Sequence, residues 1–212
     1  MGERSLTDDR ATLLATARTL SRLYARAKPS RRGAARLPAL LALTDPARTA
    51  DPLALARGLP RGAGLIYRAF GAADAPQTAK TLQKIARQRS LVLLIGAGDP
   101  AVASAGVHLP ERMAARARRF AKPGRLVTAA AHGPAAIRRA RLAGCDAVLV
   151  SAVFDSRSPS AGKPLGPVRF AAWVRAAGLP VYALGGVHGR TARRLLGSGA
   201  AGLAVVEAFS TP

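Results

Sequence analysis

Apolar residues recur along this chain in two rhythms. In residues 1–36 they fall three and four apart: Leu13, Leu14, Ala17, Leu20, Leu23 and Tyr24 share one face, which predicts an amphipathic helix. Thr7-Asp8-Asp9 offers a start for it, with acids near the positive end of the helix dipole. Lys28-Pro29-Ser30-Arg31-Arg32-Gly33 reads as a basic linker. From residue 37 short apolar runs alternate with Ala/Arg-rich helical stretches. The runs are Leu40–Thr44, Gly64–Tyr67, Leu91–Ile95, Gly106–Leu109, Leu126–Ala130, Ala147–Val150, Val181–Leu184 and Leu203–Val206. Helical patterns cover Asp51–Leu59, Ala75–Arg89, Pro134–Ala143, Leu165–Ala177 and Gly189–Ser198. The link from Ile95 to Gly106 has room for little more than one turn.

Runs that are apolar on both faces and partly β-branched suit a buried parallel sheet. Eight of them, with helices between, in about 175 residues predict a compact (β/α)8 TIM barrel of the α/β class over 37–212. Residues 1–36 then form an N-terminal helical extension, expected to cap the bottom of the barrel; a helix for a membrane surface or a partner is the alternative. A doubly wound open sheet is the runner-up, but it usually has fewer strands, and no G-x-G-x-x-G follows the first run.

Composition narrows the picture. With 212 residues the chain suits one domain. Hydrophobic residues make up 49% but aromatics only 4%, so the core is built from Ala, Val and Leu. The net charge of +22 would favour polyanions. Yet 28 of the 33 basic residues are Arg spread through nearly every segment, and aromatics for base stacking are scarce. This argues against nucleic acid as the partner and for arginines on solvated helix faces. Attraction of phosphorylated small molecules follows from the charge in either case. Cys145, the single cysteine, opens a strand-like run and reads as a small buried residue. No stretch of about 18 apolar residues occurs, so no membrane span is expected. The acidic start without an apolar stretch gives the expectation of a cytoplasmic protein. An Ala-rich small barrel that buries an outer face is compatible with a homodimer.

In a (β/α)8 barrel ligands bind at the C-terminal ends of the strands. Those ends carry Thr44-Asp45, Arg68, Gly96-Ala97-Gly98-Asp99, His108, His132, Ser156 with Ser158, Gly185-Gly186 and Val206-Glu207. Loops after the seventh and eighth strands commonly cradle phosphate, and glycines let backbone N–H groups approach an anion. Gly185, Gly186 and Val206 are therefore expected at a phosphate, with a short helix after the eighth strand aiming its positive end there. Glu207 speaks against that site unless it pairs with an arginine. The three histidines lie on different loops, so no metal cluster is expected from them.

The sequence resembles the thiamine phosphate synthase/TenI family. The resemblance rests on 144–158 (Gly-Cys-Asp-Ala-Val-Leu-Val-Ser-Ala-Val-Phe-Asp-Ser-Arg-Ser), Lys163-Pro164-Leu165-Gly166, Leu184-Gly185-Gly186-Val187 and Gly202-Leu203-Ala204-Val205-Val206. Leu43-Thr44-Asp45, Gly106-Val107-His108-Leu109 and Ala131-His132 extend it over residues 37–209. Synthases of this family join a pyrimidine diphosphate to a thiazole phosphate with magnesium; TenI relatives bind the thiazole phosphate, and some tautomerise it.

The resemblance implies that Arg68 is retained, but that Phe70 stands where the family has a pyrophosphate-binding Lys. Gly96-Ala97 replaces a magnesium-binding Asn-Asp, and Pro110-Glu111-Arg112-Met113 lacks the second metal Asp. Ala130 replaces a pyrophosphate-binding Ser, and Pro159 a loop Lys. What is kept lies on the thiazole-phosphate side: Gly185, Gly186, Ser156, Ser158 and Val206, with Thr44, Arg68 and His108 facing the pocket. His132 matches the proton-transfer histidine of the tautomerases. The expectation is a TenI-like barrel for thiazole phosphate or thiamine phosphate, with no firm cofactor. The alternatives are a divergent synthase using magnesium through Asp99, Glu111 and Lys163, and a non-catalytic binder of such phosphates.

Overall fold

The computed structural model describes residues 2–27, 37–99, 102, 105–156 and 162–209, and in the first helix the side chains from Leu6 onward. Eight parallel strands close into a barrel in chain order. They are β1 (Leu40–Leu43), β2 (Gly64–Tyr67), β3 (Val92–Gly96), β4 (Gly106–Leu109), β5 (Val127–Ala131), β6 (Ala147–Val150), β7 (Val181–Ala183) and β8 (Gly202–Val205). The helices are α1 (Gly2–Ala27), α2 (Pro52–Gly58), α3 (Ala75–Arg89), α4 (Pro134–Leu142), α5 (Gly166–Ala177) and α6 (Gly189–Ala192). This is the expected fold. Several strand boundaries fall one residue from the apolar runs, because strand pairing sets the ends.

Side chains alternate between the barrel lumen and the shell under the helices. The lowest positions of the even strands are nearly bare: Gly64, Gly106, Ala147 and Gly202. A Cβ at Gly64 would collide with the Leu41 side chain, and one at Gly202 with the Ala39 carbonyl and the Tyr182 ring. The odd strands fill the vacated space with Leu41, Leu94 and Tyr182, all buried. The Tyr182 hydroxyl donates to the Pro38 carbonyl at 2.6 Å, which satisfies a buried polar group at the bottom of the barrel. Above them lie Ile66, His108, Leu149 and Ala204, then Leu43, Gly96, Ala130 and Leu184.

The N-terminal helix differs from expectation in two ways. No proline interrupts it, and it runs past Thr7-Asp8-Asp9 back to Gly2. It also lies along the barrel instead of only capping it. Its 26 residues reach about 39 Å. Leu13, Ala17 and Leu20 pack into the shell, while Tyr24 joins the lumen cluster with Leu41 and Tyr182. α1 touches α6, β8 and β1, the place in the ring where a helix after β8 would stand. Arg10 Nε donates to the Ala208 carbonyl at 2.8 Å. Among the described residues no helix follows β8; residues 206–209 form bends and a turn. The expected short helix there is thus absent from the described chain, and α1 takes its place. The linker 28–36 lies outside the described residues.

Two further elements depart from the sequence pattern. Glu111–Arg119 forms a 3-10 helix between β4 and β5 that burial periodicity did not announce, since only Ala114 and Ala117 are buried in it. The stretch expected to be helical over 189–198 divides into α6 and a 3-10 turn at Arg193–Leu195. Gly197 and Gly199, both at φ 81, end it. No helix among the described residues is long and apolar enough to cross a membrane.

Candidate functional site

A pocket of about 1080 Å³ opens where the C-terminal ends of the strands converge. Its floor is the top lumen layer of Leu43, Gly96, Ala130 and Leu184. Gly96 and Ala130 are small, so the pocket also reaches His108 in the layer below. His108 is only 6% exposed. Its Nδ1 lies 2.9 Å from the Thr128 hydroxyl. Burial, aided by the charge of Arg68, pushes its imidazole down to about 3, so the ring stays neutral at ordinary pH.

Arg68 follows β2 and is clamped to the end of β1. Its N–H donates to Thr44 Oγ1 at 2.8 Å, and its Nε donates to the Thr44 carbonyl at 2.8 Å. The Thr44 hydroxyl donates back to the Arg68 carbonyl at 3.3 Å. Thr44 is buried and off the pocket wall, and its hydrogen bonds hold Arg68 in place. Burial lowers the Arg68 pKa from its ordinary value, partly offset by Asp45, whose Oδ2 lies 3.4 Å from Nη2.

The same Asp45 oxygen receives Arg48 Nη2 at 2.7 Å. That hydrogen bond holds the Asp45 carboxyl below its ordinary value. Arg48 Nη1 also stands 3.6 Å from Glu207 Oε1. Glu207 therefore has an arginine partner. Arg48 went unnoticed in the sequence because it pairs loops from opposite ends of the chain.

Gly185 (φ 88) and Gly186 (φ 65) adopt left-handed backbone. A Cβ on Gly185 would meet Ala152, and one on Gly186 would meet the Asp155 carbonyl and Phe154. Glycine is thus required by the close approach of the β6 loop. Among the described residues, the N–H groups of Gly185, Gly186 and Val206 meet no acceptor, and all three residues line the pocket. Ser156 lines it too, whereas Ser158 lies outside the described residues. Lys163 and Arg190 are not on the wall. Nearby, Asp9 Oδ1 of α1 sits 3.8 Å from His188 Nδ1, and Leu6 and Asp9 both contribute to the wall.

Two strands earlier in the ring stands His132, just beyond β5. Its Nδ1 and its backbone N–H both meet Glu111 Oε2, at 2.7 Å and 2.9 Å. Arg139 Nη1 is 3.9 Å from the other Glu111 oxygen. Phe70 is 62% exposed at the rim in left-handed backbone (φ 49), with the Arg68 guanidinium 5.0 Å from its ring centre. Cys145 is buried away from the pocket, and burial, with Asp146 beside it, pushes its thiol up to about 11. That suits a structural residue.

His132, His108, Arg68, Ser156, Gly185, Gly186 and Val206 thus surround one cavity. Among the described residues three arginines line it against five carboxylates, so that part of its wall is far less basic than the chain as a whole.

Barrel and pocket together define a (β/α)8 protein with an open pocket at the C-terminal mouth. The sequence matches the thiamine monophosphate synthase family over residues 44–209, and the chain belongs to that family. It is 30% identical over 183 residues to the thiamine-phosphate synthase of Chlorobium luteolum, covering 82% of this chain and 85% of that one. It is 37% identical over 111 residues to a thiamine biosynthesis bifunctional protein, ThiM/ThiE, of Symbiobacterium thermophilum, covering 51% of this chain and 23% of that one. The chain spans half or less of the length of two of the curated relatives it matches. A solved thiamine phosphate pyrophosphorylase from Pyrococcus furiosus shares the fold with a TM-score of 0.64 at 20% identity, covering 81% of this chain and 86% of that one.

Synthases of the family use magnesium, and the residues here do not fit it. By the resemblance, Gly96-Ala97 stands where the family has its Asn-Asp, and Pro110-Glu111-Arg112-Met113 holds no counterpart of the second metal Asp. Asp99 Oδ2 accepts the Ala69 N–H at 3.0 Å, and Glu111 is committed to His132. Among the described residues no group of three His, Cys, Asp or Glu converges on a metal position.

Proposed function

We propose that this protein is a TenI-like barrel that binds a thiazole phosphate or thiamine phosphate and uses His132 to tautomerise the thiazole. The supporting observation is the His132–Glu111 pair, which lines the same pocket as the Gly185-Gly186 backbone amides. The phosphate would rest on those amides, near Ser156 and the Arg48–Glu207 pair. His132 would take a proton from the ring and return one to the exocyclic carbon, so a C–H bond breaks, another forms, and the ring becomes aromatic without net change. Neutral His108 would read the ring from the floor by hydrogen bonding. In His132→Ala, turnover of the thiazole-phosphate tautomer is expected to vanish while calorimetric binding of thiamine phosphate persists. Intact turnover in that variant removes the tautomerase reading.

A second reading, synthase activity, draws support from the Chlorobium luteolum relative, a thiamine-phosphate synthase. Thiamine phosphate formation that depends on magnesium would establish it over the first. Binding without either reaction would leave a phosphate-ligand binder.

A further inference from the structure

We infer that Glu111 is the positioning residue of this site: it fixes the tautomer and orientation of His132 so that Nε2 is the atom that exchanges protons. Glu111 opens the 3-10 helix after β4, while His132 ends the excursion of β5, and no sequence motif links them. A carboxylate offers only acceptors. At 2.7 Å from Oε2, His132 Nδ1 is therefore the donor and carries the ring proton. The backbone N–H of His132 meets the same oxygen at 2.9 Å. Two donors from one residue on one oxygen pin both the ring and the loop, and Arg139, 3.9 Å from Oε1, steadies the carboxylate. With Nδ1–H committed, Nε2 keeps its lone pair, and it has no partner among the described residues. A free imidazole prefers the opposite tautomer, so the hydrogen bond decides which nitrogen is basic.

The functional part of this inference rests on the tautomerase reading, but its geometry can be tested without it. The three imidazoles are observed by 15N NMR at a pH where the rings are neutral, and His132 is assigned by the signals lost in His132→Ala. Wild type is expected to show a protonated, pyrrole-like Nδ1 and a pyridine-like Nε2. Glu111→Ala should shift His132 toward the Nε2–H form and lower kcat for the tautomer about 10- to 100-fold with KM little changed. Glu111→Gln keeps the shape and one acceptor oxygen, and should recover part of both. An Nε2–H ring in wild type, or an Nδ1–H ring that survives Glu111→Ala, overturns the inference. If the tautomer shifts as expected while neither variant nor His132→Ala alters turnover, Glu111 still positions the ring and only the tautomerase reading fails.

Discussion

A Cβ placed on Gly189 would stand 2.7 Å from the backbone carbonyl oxygen of Asp9 and 2.5 Å from its carboxylate. The first helix of the chain therefore packs directly on the start of α6, beside the loop that carries Gly185 and Gly186. Nothing flexible can give way on the backbone side. Gly189→Ala should push α1 outward and cost about 1–3 kcal/mol, measured by urea unfolding. Unchanged stability would mean that α1 does not dock as described.

His108 makes stability depend on pH with a defined sign. Its folded value, about 3, lies below the ordinary 6.5. Above pH 6.5 the ring is neutral in both states and its contribution is fully present. As pH falls from 6.5 toward 3 only the unfolded chain takes the proton, so stability is lost. The slope is about 1.4 kcal/mol per pH unit for this one group. Other groups titrate in the same range, so the check is the difference between wild type and His108→Asn across a pH series of unfolding curves. Parallel curves would show that His108 is not held neutral.

Phe70 places a bulky side chain in left-handed backbone at the pocket rim, where it is mostly exposed. Phe70→Gly should leave thermal stability unchanged or raise it by up to about 1 kcal/mol, because glycine accepts that conformation without strain. Phe70→Val should lower stability, since β-branching worsens the same conformation. Equal losses in both variants would place the importance of Phe70 in its ring contact with Arg68 instead.

Arg48 ties Asp45 to Glu207 across the seam between β1 and β8. Arg48→Met removes the guanidinium that pairs with Glu207 beside the proposed anion position. Calorimetric affinity for thiamine phosphate is expected to fall about tenfold, equivalent to about 1.4 kcal/mol. Asp45 also loses the hydrogen bond that lowers its pKa. The stability it supplies above its ordinary 3.8, lost in wild type as pH falls through the lowered folded value, should shrink. Undiminished affinity would take Arg48 out of the binding site.

The strands were legible because each is buried on both faces, a pattern that survives without large side chains. The 3-10 helix at Glu111–Arg119 was hidden because two alanines are its only buried residues. Amphipathicity announced α1, but a stripe of Leu13, Ala17 and Leu20 does not say which groove it fills. At the site, residues carried by motifs, such as Gly185 and His132, could be placed from sequence. Thr44 could not, because its neighbour Arg68 is distant in the chain and takes up its hydroxyl. The Arg48–Glu207 and Glu111–His132 pairs were invisible for the same reason: they exist only once the barrel has closed.

The bond from Arg10 to Ala208 joins residues 198 positions apart. The ring of helices is therefore completed by α1, which precedes every strand of the barrel, and only once β8 is in place. Until then β1 lacks its neighbour β8, and the shell-facing side of α1 lacks much of its partner surface. Such a long-range closure is entropically slow. The folding rate of this barrel should accordingly be set by the meeting of α1 with β8, with the pocket completed at the same moment as that contact.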